Sequence, residues 1–370
     1  MKLAMTLMVR DEADIIASMI EHHLNQGVDI IIATDNGSAD GTTEILERYA
    51  AHGVVDLRHD PVHRKQQGVV VTQMARDAAT IHGADWVINA DADEFWMPVN
   101  PALTLREAFG GIDRGIQSFT VDVIDMTGPP AMAGTGLQRL IYRDQRSIAE
   151  LNAVGLHAHS THDAAHIGDP EITVIQGNHF VSLASLGAPA PEFALEVLHF
   201  PWRSWAQFSH KVENAGKAYL SSPDLKPSPN HHGMRDFKRL QNDTLFPSYY
   251  YRHPSDDELR DGTESGSFVI DRRVADALIG SVPDVAVDAA QHERALAYGK
   301  VIIDLESRVK DLEAQAVTQA ERVGNLSTQL VHSRELEAAV STELARFRNR
   351  KVVRVIDKIS HAMVRGKSSE

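Results

Sequence analysis

Residues 85–96 read DWVINADADEFW, a short hydrophobic run that leads directly into three acidic residues. The apolar residues from Trp86 to Ala90 predict a buried strand. Asp91 and Asp93 follow two positions apart, and alternation along an extended chain places their carboxylates on the same side. Oxygen ligands in this arrangement predict a site for one hard divalent cation, Mg²⁺ or Mn²⁺. The alternative is a solvated acidic turn without a ligand.

The residues before this stretch alternate between strand and helix patterns. Strands are predicted at 3–9, 28–33, 54–57 and 85–89, and helices at 11–24, 42–51 and 69–82, with Asp11 as the N-cap of the first helix. Strands separated by helices of this length form βαβ units and a mostly parallel sheet covered on both faces. The predicted fold class is therefore α/β, with ligands at the carboxyl ends of the strands.

Later segments differ in character. Further strands are predicted at 116–124, 137–142, 172–175 and 194–200, followed by a helix at 204–221 and an irregular stretch at 222–265. The predicted domains are a catalytic domain at 1–220, an irregular or helical extension at 221–285, a coiled-coil helix at 286–347 and a basic tail at 348–370.

Apolar residues from Tyr298 to Leu330 recur in alternating steps of four and three, and the pattern resumes to Phe347 after a break near Ser333. This heptad seam predicts a coiled coil and a homo-oligomer formed through 298–347. The alternative is a helix that packs back on its own domain.

Basic residues dominate 346–367, where Asp357 is the single acid and Val and Ile are interleaved. A basic amphipathic helix predicts peripheral contact with an anionic membrane surface or an acidic partner. A solvated helix end, with cations suited to the helix dipole, is the alternative. The overall charge of -14 argues against nucleic-acid binding. The absence of cysteine suits a reducing compartment, so we expect a cytoplasmic protein.

Four stretches together resemble the family 2-type glycosyltransferases with the GT-A fold, and among them the branch related to the DUF23 group. They are MVRDE at 8–12, TDNGSADGT at 34–42, DWVINADADEFW at 85–96 and LHFPWRS at 198–204. The resemblance implies a GT-A-type, Rossmann-like sheet over about the first 220 residues. It also implies metal-dependent transfer of a sugar from a nucleotide-diphosphate sugar, UDP-type favoured, to a hydroxyl acceptor such as a glycan, with inversion.

The same resemblance implies roles for individual residues. The expected contacts to the nucleotide base and ribose are Thr6, Arg10, Glu12 and Asp35. Metal and sugar diphosphate would be held at Asp91, Ala92 and Asp93, with a further metal ligand from His179 or His199. Positive charge for the phosphates would come from Arg64, Lys65, Arg203 and Lys211, unless these are ordinary surface cations.

An inverting transfer also needs a base for the acceptor proton. Asp93 and Glu94 of the acidic stretch are candidate catalytic carboxylates. The candidates for the base are Asp163, Asp169, Glu171 and Glu150, and none of these four has a motif around it. The nearby histidines at 157, 159 and 162 are zinc-type ligands, with a polar acceptor-side loop as the preferred interpretation.

Two other functions compete with glycosyl transfer. A nucleotidyltransferase would use a related sheet and metal, but it typically carries a glycine-rich loop after the first strand, and residues 10–12 contain no glycine. A non-catalytic scaffold would use the coiled coil and basic tail as its functional parts.

Overall fold

The computed structural model describes residues 1–62, 67–221, 232–278 and 282–366. Contacts divide the chain into two units, Met1–Ile303 and Asp304–Glu370. The first unit contains every strand described, and the described part of the second is helical except at Asn349 and Arg350.

Four parallel strands form one half of the sheet, as the sequence predicts. The elements are β1 (Leu3–Val9), α1 (Ile16–Asn25), β2 (Ile30–Asp35), α2 (Thr42–Ala51), β3 (Val55–His59), α3 (Gln67–Thr80) and β4 (Trp86–Ala90). The order across the sheet is β3-β2-β1-β4. The ends of these strands, marked by Val9, Asp35 and Ala90, therefore meet at one edge, here named the carboxyl edge.

Both faces of this half are covered, which explains the nearly continuous apolar run of β1. Leu3, Met5 and Leu7 pack in the cluster that includes α1, whereas Ala4 packs in the cluster that includes α3. All four are fully buried. A strand buried on both faces has no polar side, so alternation is lost.

Helix α1 begins later than predicted because Asp11 has a left-handed backbone, with φ of 57°. An N-cap residue usually has extended dihedrals, so Asp11 is not the cap. Its carboxylate instead accepts hydrogen bonds from the backbone amide of Ala39 at 2.8 Å and from the Asn214 side chain at 2.9 Å. Asp11 thus joins the loop after β1 to two other segments.

The second half of the sheet is mixed. Its elements are β5 (Glu94–Pro98), α4 (Leu105–Gly111), β6 (Ser118–Thr127), β7 (Ala131–Ala133), β8 (Tyr142–Asp144), α5 (Ile148–Ala153), β9 (Asp163–Ile167) and β10 (Leu195–His199). Strand β9 lies antiparallel between β4 and β6, so it begins at the carboxyl edge and ends at the opposite one. Strand β10 is parallel to β6 and places His199 opposite both Asp125 and Glu94.

Two predicted strands are wrong. Most of 137–142 is irregular, with Leu137 and Leu140 buried, and 172–175 forms only an isolated bridge between Val174 and Val181. Ile172 and Val174 are buried in the cluster that includes α3. Their hydrophobicity therefore reflects packing against a helix instead of strand pairing.

Helices follow the sheet. The elements are α6 (Trp205–Leu220), α7 (His232–Gln241), α8 (Leu245–Arg252), α9 (Asp256–Ser265), β11 (Phe268–Ile270), α10 (Arg273–Ala277) and β12 (Val285–Ala286). The irregular stretch predicted at 222–265 is thus wrong for its described part, 232–265. Phe208, Phe237 and Tyr249 form a separate apolar cluster between α6, α7 and α8.

Two further helices complete the chain, α11 (Ala289–Arg348) and α12 (Lys351–Gly366). The first turns of α11 belong to the first unit, where Ala295, Gly299 and Ile303 are buried. The long C-terminal helix is therefore confirmed, and its pairing into a coiled coil stays a prediction. Among the described helices, none combines the length and hydrophobicity needed to cross a bilayer.

Candidate active site

The acidic stretch lies at the carboxyl edge, directly after β4. The Asp91 carboxylate accepts a hydrogen bond from Gln67 Nε2 at 2.9 Å and another from Asn178 Nδ2 at 3.2 Å, both on Oδ1. Asn178 is buried and has a left-handed backbone with φ of 64°. Two amides from distant segments therefore fix the orientation of Asp91.

Asp93 is 1% exposed and is surrounded by cations. Its Oδ2 lies 2.5 Å from Lys211 Nζ, 3.5 Å from an Arg203 guanidinium nitrogen and 3.8 Å from His199 Nε2. Burial alone would raise the pKa of Asp93, but the charges of Lys211, His199 and Arg203 hold it well below its usual range. Asp93 is therefore ionised and is the centre of the charge cluster.

Arg203 is fully buried and connects Asp93 to the loop after β1. It forms ion pairs with Glu12 at 2.5 Å and with Asp14 at 2.9 Å. A guanidinium with several planar donors is suited to joining several carboxylates in a fixed geometry. Arg203 does not line the cleft, so its predicted direct contact with phosphate is not supported; it positions Glu12 and Asp93 instead.

His199 is held from behind by Asp125. Its Nδ1 lies 2.9 Å from Asp125 Oδ1, and the Ser160 hydroxyl donates to the same carboxylate oxygen at 2.6 Å. Burial alone would lower the pKa of His199, but the bond to Asp125 and the charge of Asp93 raise it to about 9. The carboxylate fixes the ring with Nε2 toward Asp93, as second-shell carboxylates do for metal-bound histidines.

Glu94 and Asp163 form a second, buried carboxyl pair beside Asp91. Glu94 accepts the backbone N–H of Asp91 at 2.8 Å, and it lies close enough to Asp163 for the two carboxyl groups to interact electrostatically. Burial and neighbouring carboxylates raise the pKa of Asp163 to about 7 and that of Glu94 well above its usual value. Burial and repulsion between the two carboxylates therefore favour the protonated form of the pair.

The cleft in front of these residues has a volume of about 220 Å³. Predicted residues that line it are Arg10, Glu12, Asp91, Ala92, Asp93 and Lys211. Lining residues that sequence reasoning missed are Gln67, Gln207, His210 and Asn214. Three of these four lie on α6 together with Lys211, and their three- and four-residue spacing on one helix face is a signal present in the sequence.

Three further predicted site residues neither line the cleft nor contact Asp93. Thr6 has no exposed surface and donates to Asn89 Oδ1 at 2.7 Å within the sheet. Asp35 is also buried, and it accepts hydrogen bonds from Ser38 and Thr43 that shape the loop after β2. Neither residue lines the cleft, and both act as structural polar groups.

The third, Asp169, is at the wrong edge of the sheet. Ile167 at the end of β9 pairs with Trp86 at the start of β4, and Gly168 donates to the Asp85 carbonyl. Asp169 therefore lies at the amino end of β4, away from Asp91. Arg64 and Lys65 lie outside the described residues.

The predicted histidines differ in placement. His179 Nδ1 is 3.0 Å from the His162 carbonyl and 3.3 Å from Asp163, whereas His199 faces Asp93. No group of three or more acidic, His or Cys side chains among the described residues is arranged to hold a metal. Asp93 and His199 do offer an oxygen and a nitrogen 3.8 Å apart. Such a pair could supply two ligands, one oxygen and one nitrogen, to a divalent cation that takes its other ligands from phosphate and water.

Comparison with known proteins assigns the enzyme class. Residues 4–114 match the model of glycosyltransferase family 92, a segment that includes β1 and the acidic stretch. The predicted class, a glycosyltransferase, is thereby confirmed. No curated protein gives a significant match over this chain.

Similar solved structures are remote in sequence. TarS from S. aureus, residues 1–349, has a TM-score of 0.34 and 10% identity over 69% of this chain and 81% of that chain. The same protein in complex with UDP-GlcNAc has a TM-score of 0.32 and 13% identity over 72% and 76%. Glucosyl-3-phosphoglycerate synthase from Mycobacterium tuberculosis, in complex with Mn²⁺, UDP and glucosyl-3-phosphoglycerate, has a TM-score of 0.23 and 19% identity over 45% and 56%.

Proposed function

We propose that this glycosyltransferase moves a sugar from a UDP-type nucleotide-diphosphate sugar to a hydroxyl of a glycan-like acceptor, with a divalent metal and inversion at the anomeric carbon. The DUF23-related branch is the subgroup we favour. The observation that carries the proposal is the charge cluster around Asp93, in which a buried carboxylate meets Lys211, Arg203 and His199 beside an open cleft.

The cluster combines the two charge types that a metal-bound diphosphate needs. Asp93 offers anionic oxygen for a cation, and Lys211, which is 42% exposed and lines the cleft, offers an ammonium group for phosphate oxygens. Arg10 also lines the cleft, with one guanidinium nitrogen donating to the Asn36 carbonyl at 2.6 Å. Together they suit a doubly charged diphosphate in a protein that is acidic overall.

Asp93 and His199 are the residues that we propose as metal ligands, with Asp125 fixing the His199 ring. His199 would have to lose its Nε2 proton to hold the cation, so metal binding would compete with protonation of this ring. A bound Mn²⁺ or Mg²⁺ would neutralise charge that develops on the diphosphate leaving group. Asp91, oriented by Gln67 and Asn178, borders the same cleft and is proposed to contact the donor. His179 has no place in this proposal because it contacts Asp163.

Inverting transfer joins the acceptor oxygen to the anomeric carbon as the bond to the diphosphate breaks, and a base removes the acceptor proton. Asp93 is paired with cations and Asp169 is at the opposite edge. We therefore propose the Glu94–Asp163 pair, which is buried beside Asp91 and does not line the cleft, as the base that takes the acceptor proton through one bridging water. The pKa of about 7 for Asp163 suits this role at neutral pH. Replacing Asp163→Asn should stop transfer and spare UDP binding, and full turnover in this variant would exclude the pair.

Self-association through α11 is a further part of the proposal. Apolar seam residues beyond the first unit stand exposed, including Leu312 at 62% and Leu326 at 56%. An apolar stripe at heptad spacing is usually covered by another helix of the same kind. A second copy of this chain presents a matching stripe, and we propose it as the partner.

The function is tested by release of nucleoside diphosphate from a panel of UDP- and GDP-sugars, with and without Mn²⁺, for wild type and Asp93→Asn. Asp261→Asn, which removes an exposed carboxylate from α9, is the matched control. We expect UDP-sugar turnover in wild type and the control, and its loss in Asp93→Asn with the circular-dichroism spectrum unchanged. Equal turnover in all three proteins would exclude the site.

The family match disfavours the two competing functions, a nucleotidyltransferase and a scaffold. A nucleotidyltransferase would bind nucleoside triphosphate more tightly than diphosphate. A scaffold would show no metal-linked nucleotide binding.

A further inference from the structure

The C-terminal helix α12 has a composition unlike the rest of the chain. Between residues 346 and 362 the sequence has six Lys or Arg and one Asp, whereas the whole chain has a net charge of -14. The helix runs over Lys351–Gly366, and a turn at Asn349 and Arg350 separates it from α11. This segment is a local basic site on an acidic protein.

Its apolar side chains share one face. At about 100° per residue, Val352, Val355, Ile356 and Ile359 fall within an arc of about 100°. All four are exposed, from 49% for Ile359 to 69% for Val352. No described residue covers this face, and exposing four branched apolar side chains to water is unfavourable.

The basic side chains lie directly beside that face. Lys351, Arg354 and Lys358 fall within an arc of about 60° that adjoins the apolar arc. All three are exposed. An apolar face bordered by a cationic strip is the arrangement of helices that lie in the plane of a membrane interface.

A second copy of the chain is a poor occupant of this face. If the heptad steps from Leu344 and Phe347 are continued, the next seam positions are Lys351, Arg354 and Lys358. A coiled coil extended in register would place these cations against the same cations of its partner, which is destabilising. The apolar seam of α11 and the apolar face of α12 are therefore different surfaces.

We propose that α12 docks on anionic lipid bilayers, with its Val and Ile side chains in the acyl boundary and its Lys and Arg side chains at the phosphate headgroups. Charge complementarity selects anionic lipid, because a basic strip beside an anionic surface gains electrostatic attraction. An exposed apolar face with a basic border is the arrangement of interfacial helices, so we take a bilayer and not an acidic protein as the occupant. This inference is independent of the reaction at Asp93.

The test is co-sedimentation of the full chain with sucrose-loaded vesicles of phosphatidylcholine alone or mixed with phosphatidylglycerol. We expect binding only to the anionic vesicles, and weaker binding at high salt. The double variant Arg354→Gln and Lys358→Gln should lower the partition coefficient by about thirtyfold, since each basic residue near the surface contributes about 1 kcal/mol. The double variant Val352→Ser and Ile356→Ser should lower it comparably at low salt.

Matched controls come from α11. Arg308→Gln with Lys310→Gln removes the same charge outside α12, and Val317→Ser with Val331→Ser removes exposed apolar residues outside the seam and α12. Both controls should bind vesicles like wild type. A wild-type chain that stays in the supernatant with anionic vesicles would overturn the proposal. Binding that is lost equally in the controls would also overturn it, as would binding to polyglutamate without binding to vesicles, which would indicate an acidic protein partner.

Discussion

The ammonium group of Lys211 lies at the cleft, and its position predicts that removing its charge will slow the reaction. Its ammonium lies 2.5 Å from Asp93 and borders the cleft. Replacing Lys211→Met should lower kcat/KM for the sugar nucleotide by about a hundredfold, because a preorganised charge at the leaving group is lost. Steady-state kinetics of wild type and Lys211→Met with the sugar nucleotide will measure this fall in kcat/KM.

Lys217 provides the matched control on the same helix. It pairs with Glu213 at the surface and does not line the cleft. Lys217→Met should keep wild-type kinetics. Equal kinetics in Lys211→Met and Lys217→Met would mean that the ammonium of Lys211 does not act on the donor.

Buried neutral histidines predict how stability depends on pH. Burial lowers the pKa of His22 and of His166 to about 4. The unfolded value is about 6.5, so the stability from neutral rings is complete above about pH 6.5 and is lost as the pH falls toward 4. In this pH range each buried ring should lower the free energy of unfolding by up to about 1.4 kcal/mol for every pH unit of acidification.

Urea unfolding of wild type and His166→Gln at several pH values tests whether the buried ring of His166 makes the protein less stable in acid. The decline in unfolding free energy between pH 6.5 and 4.5 should be smaller in His166→Gln by about 2 kcal/mol. His52→Gln, at an exposed position, should follow wild type. Parallel curves for all three proteins would show that His166 does not contribute to acid sensitivity.

Some individual residues of the candidate site could be predicted from the sequence, and others could not. Asp91 and Asp93 were found because they follow a hydrophobic strand, and Lys211 because its surroundings match a known pattern. Asp125 was missed because its contact with His199 depends on the register between β6 and β10, which are far apart in sequence. Thr6 and Asp35 were assigned to the nucleotide from the family resemblance, and a resemblance does not reveal whether a strand residue faces the cleft or the interior.

At the scale of elements, the seam of α11 predicts an oligomer that a few substitutions should break. Leu312→Lys with Leu326→Lys places charges on the exposed seam, so the mass measured by light scattering should fall to that of the 40.8 kDa monomer. Val317→Lys with Val331→Lys, also exposed but outside the seam, should keep the oligomer. A wild-type chain that is already monomeric would contradict the seam's proposed role.

Gly324 lies inside α11 with open space around its Cα, since no atom outside its own helical turn lies within 4 Å of the position that a Cβ would occupy. Replacing Gly324→Ala should therefore stabilise the helix by about 1 kcal/mol, as the glycine's excess backbone entropy is removed. Gly168 is the opposite case, because a Cβ there would meet the Ala84 carbonyl at 2.0 Å. Thermal unfolding followed by circular dichroism should show a gain for Gly324→Ala and a loss for Gly168→Ala, and a loss for both would be contrary to the prediction.

Secondary structure was predictable where a local signal exists. The four parallel strands have strong apolar runs, and β1 was predicted at its observed bounds. Helix α9 was missed although Ser255 and Glu258 form a capping box, a pattern that is readable from the sequence. Strand β5 was missed because its aromatic residues follow the acidic turn without a break, and only pairing with β10 makes it a strand.

At the scale of the whole molecule, the two units carry different kinds of surface. The first unit, Met1–Ile303, contains the sheet, the cleft and the charge cluster around Asp93. The second, from Asp304, presents an exposed apolar seam and then a basic amphipathic helix. We propose that catalysis, self-association and lipid binding use these separate surfaces, and we expect each to be lost in substitutions that leave the other two intact.

The donor site itself is tested most directly by calorimetric titration of UDP into the full chain with and without Mn²⁺, for wild type, Asp93→Asn and the control Asp261→Asn. We expect wild type and the control to bind UDP more tightly by about tenfold or more when Mn²⁺ is present, because Asp93 and His199 would hold the cation and it would supply positive charge for the diphosphate. Asp93→Asn should lose this dependence on metal. UDP affinity that is unaffected by Mn²⁺ in wild type, or metal-dependent binding retained in Asp93→Asn, would contradict the proposed donor site.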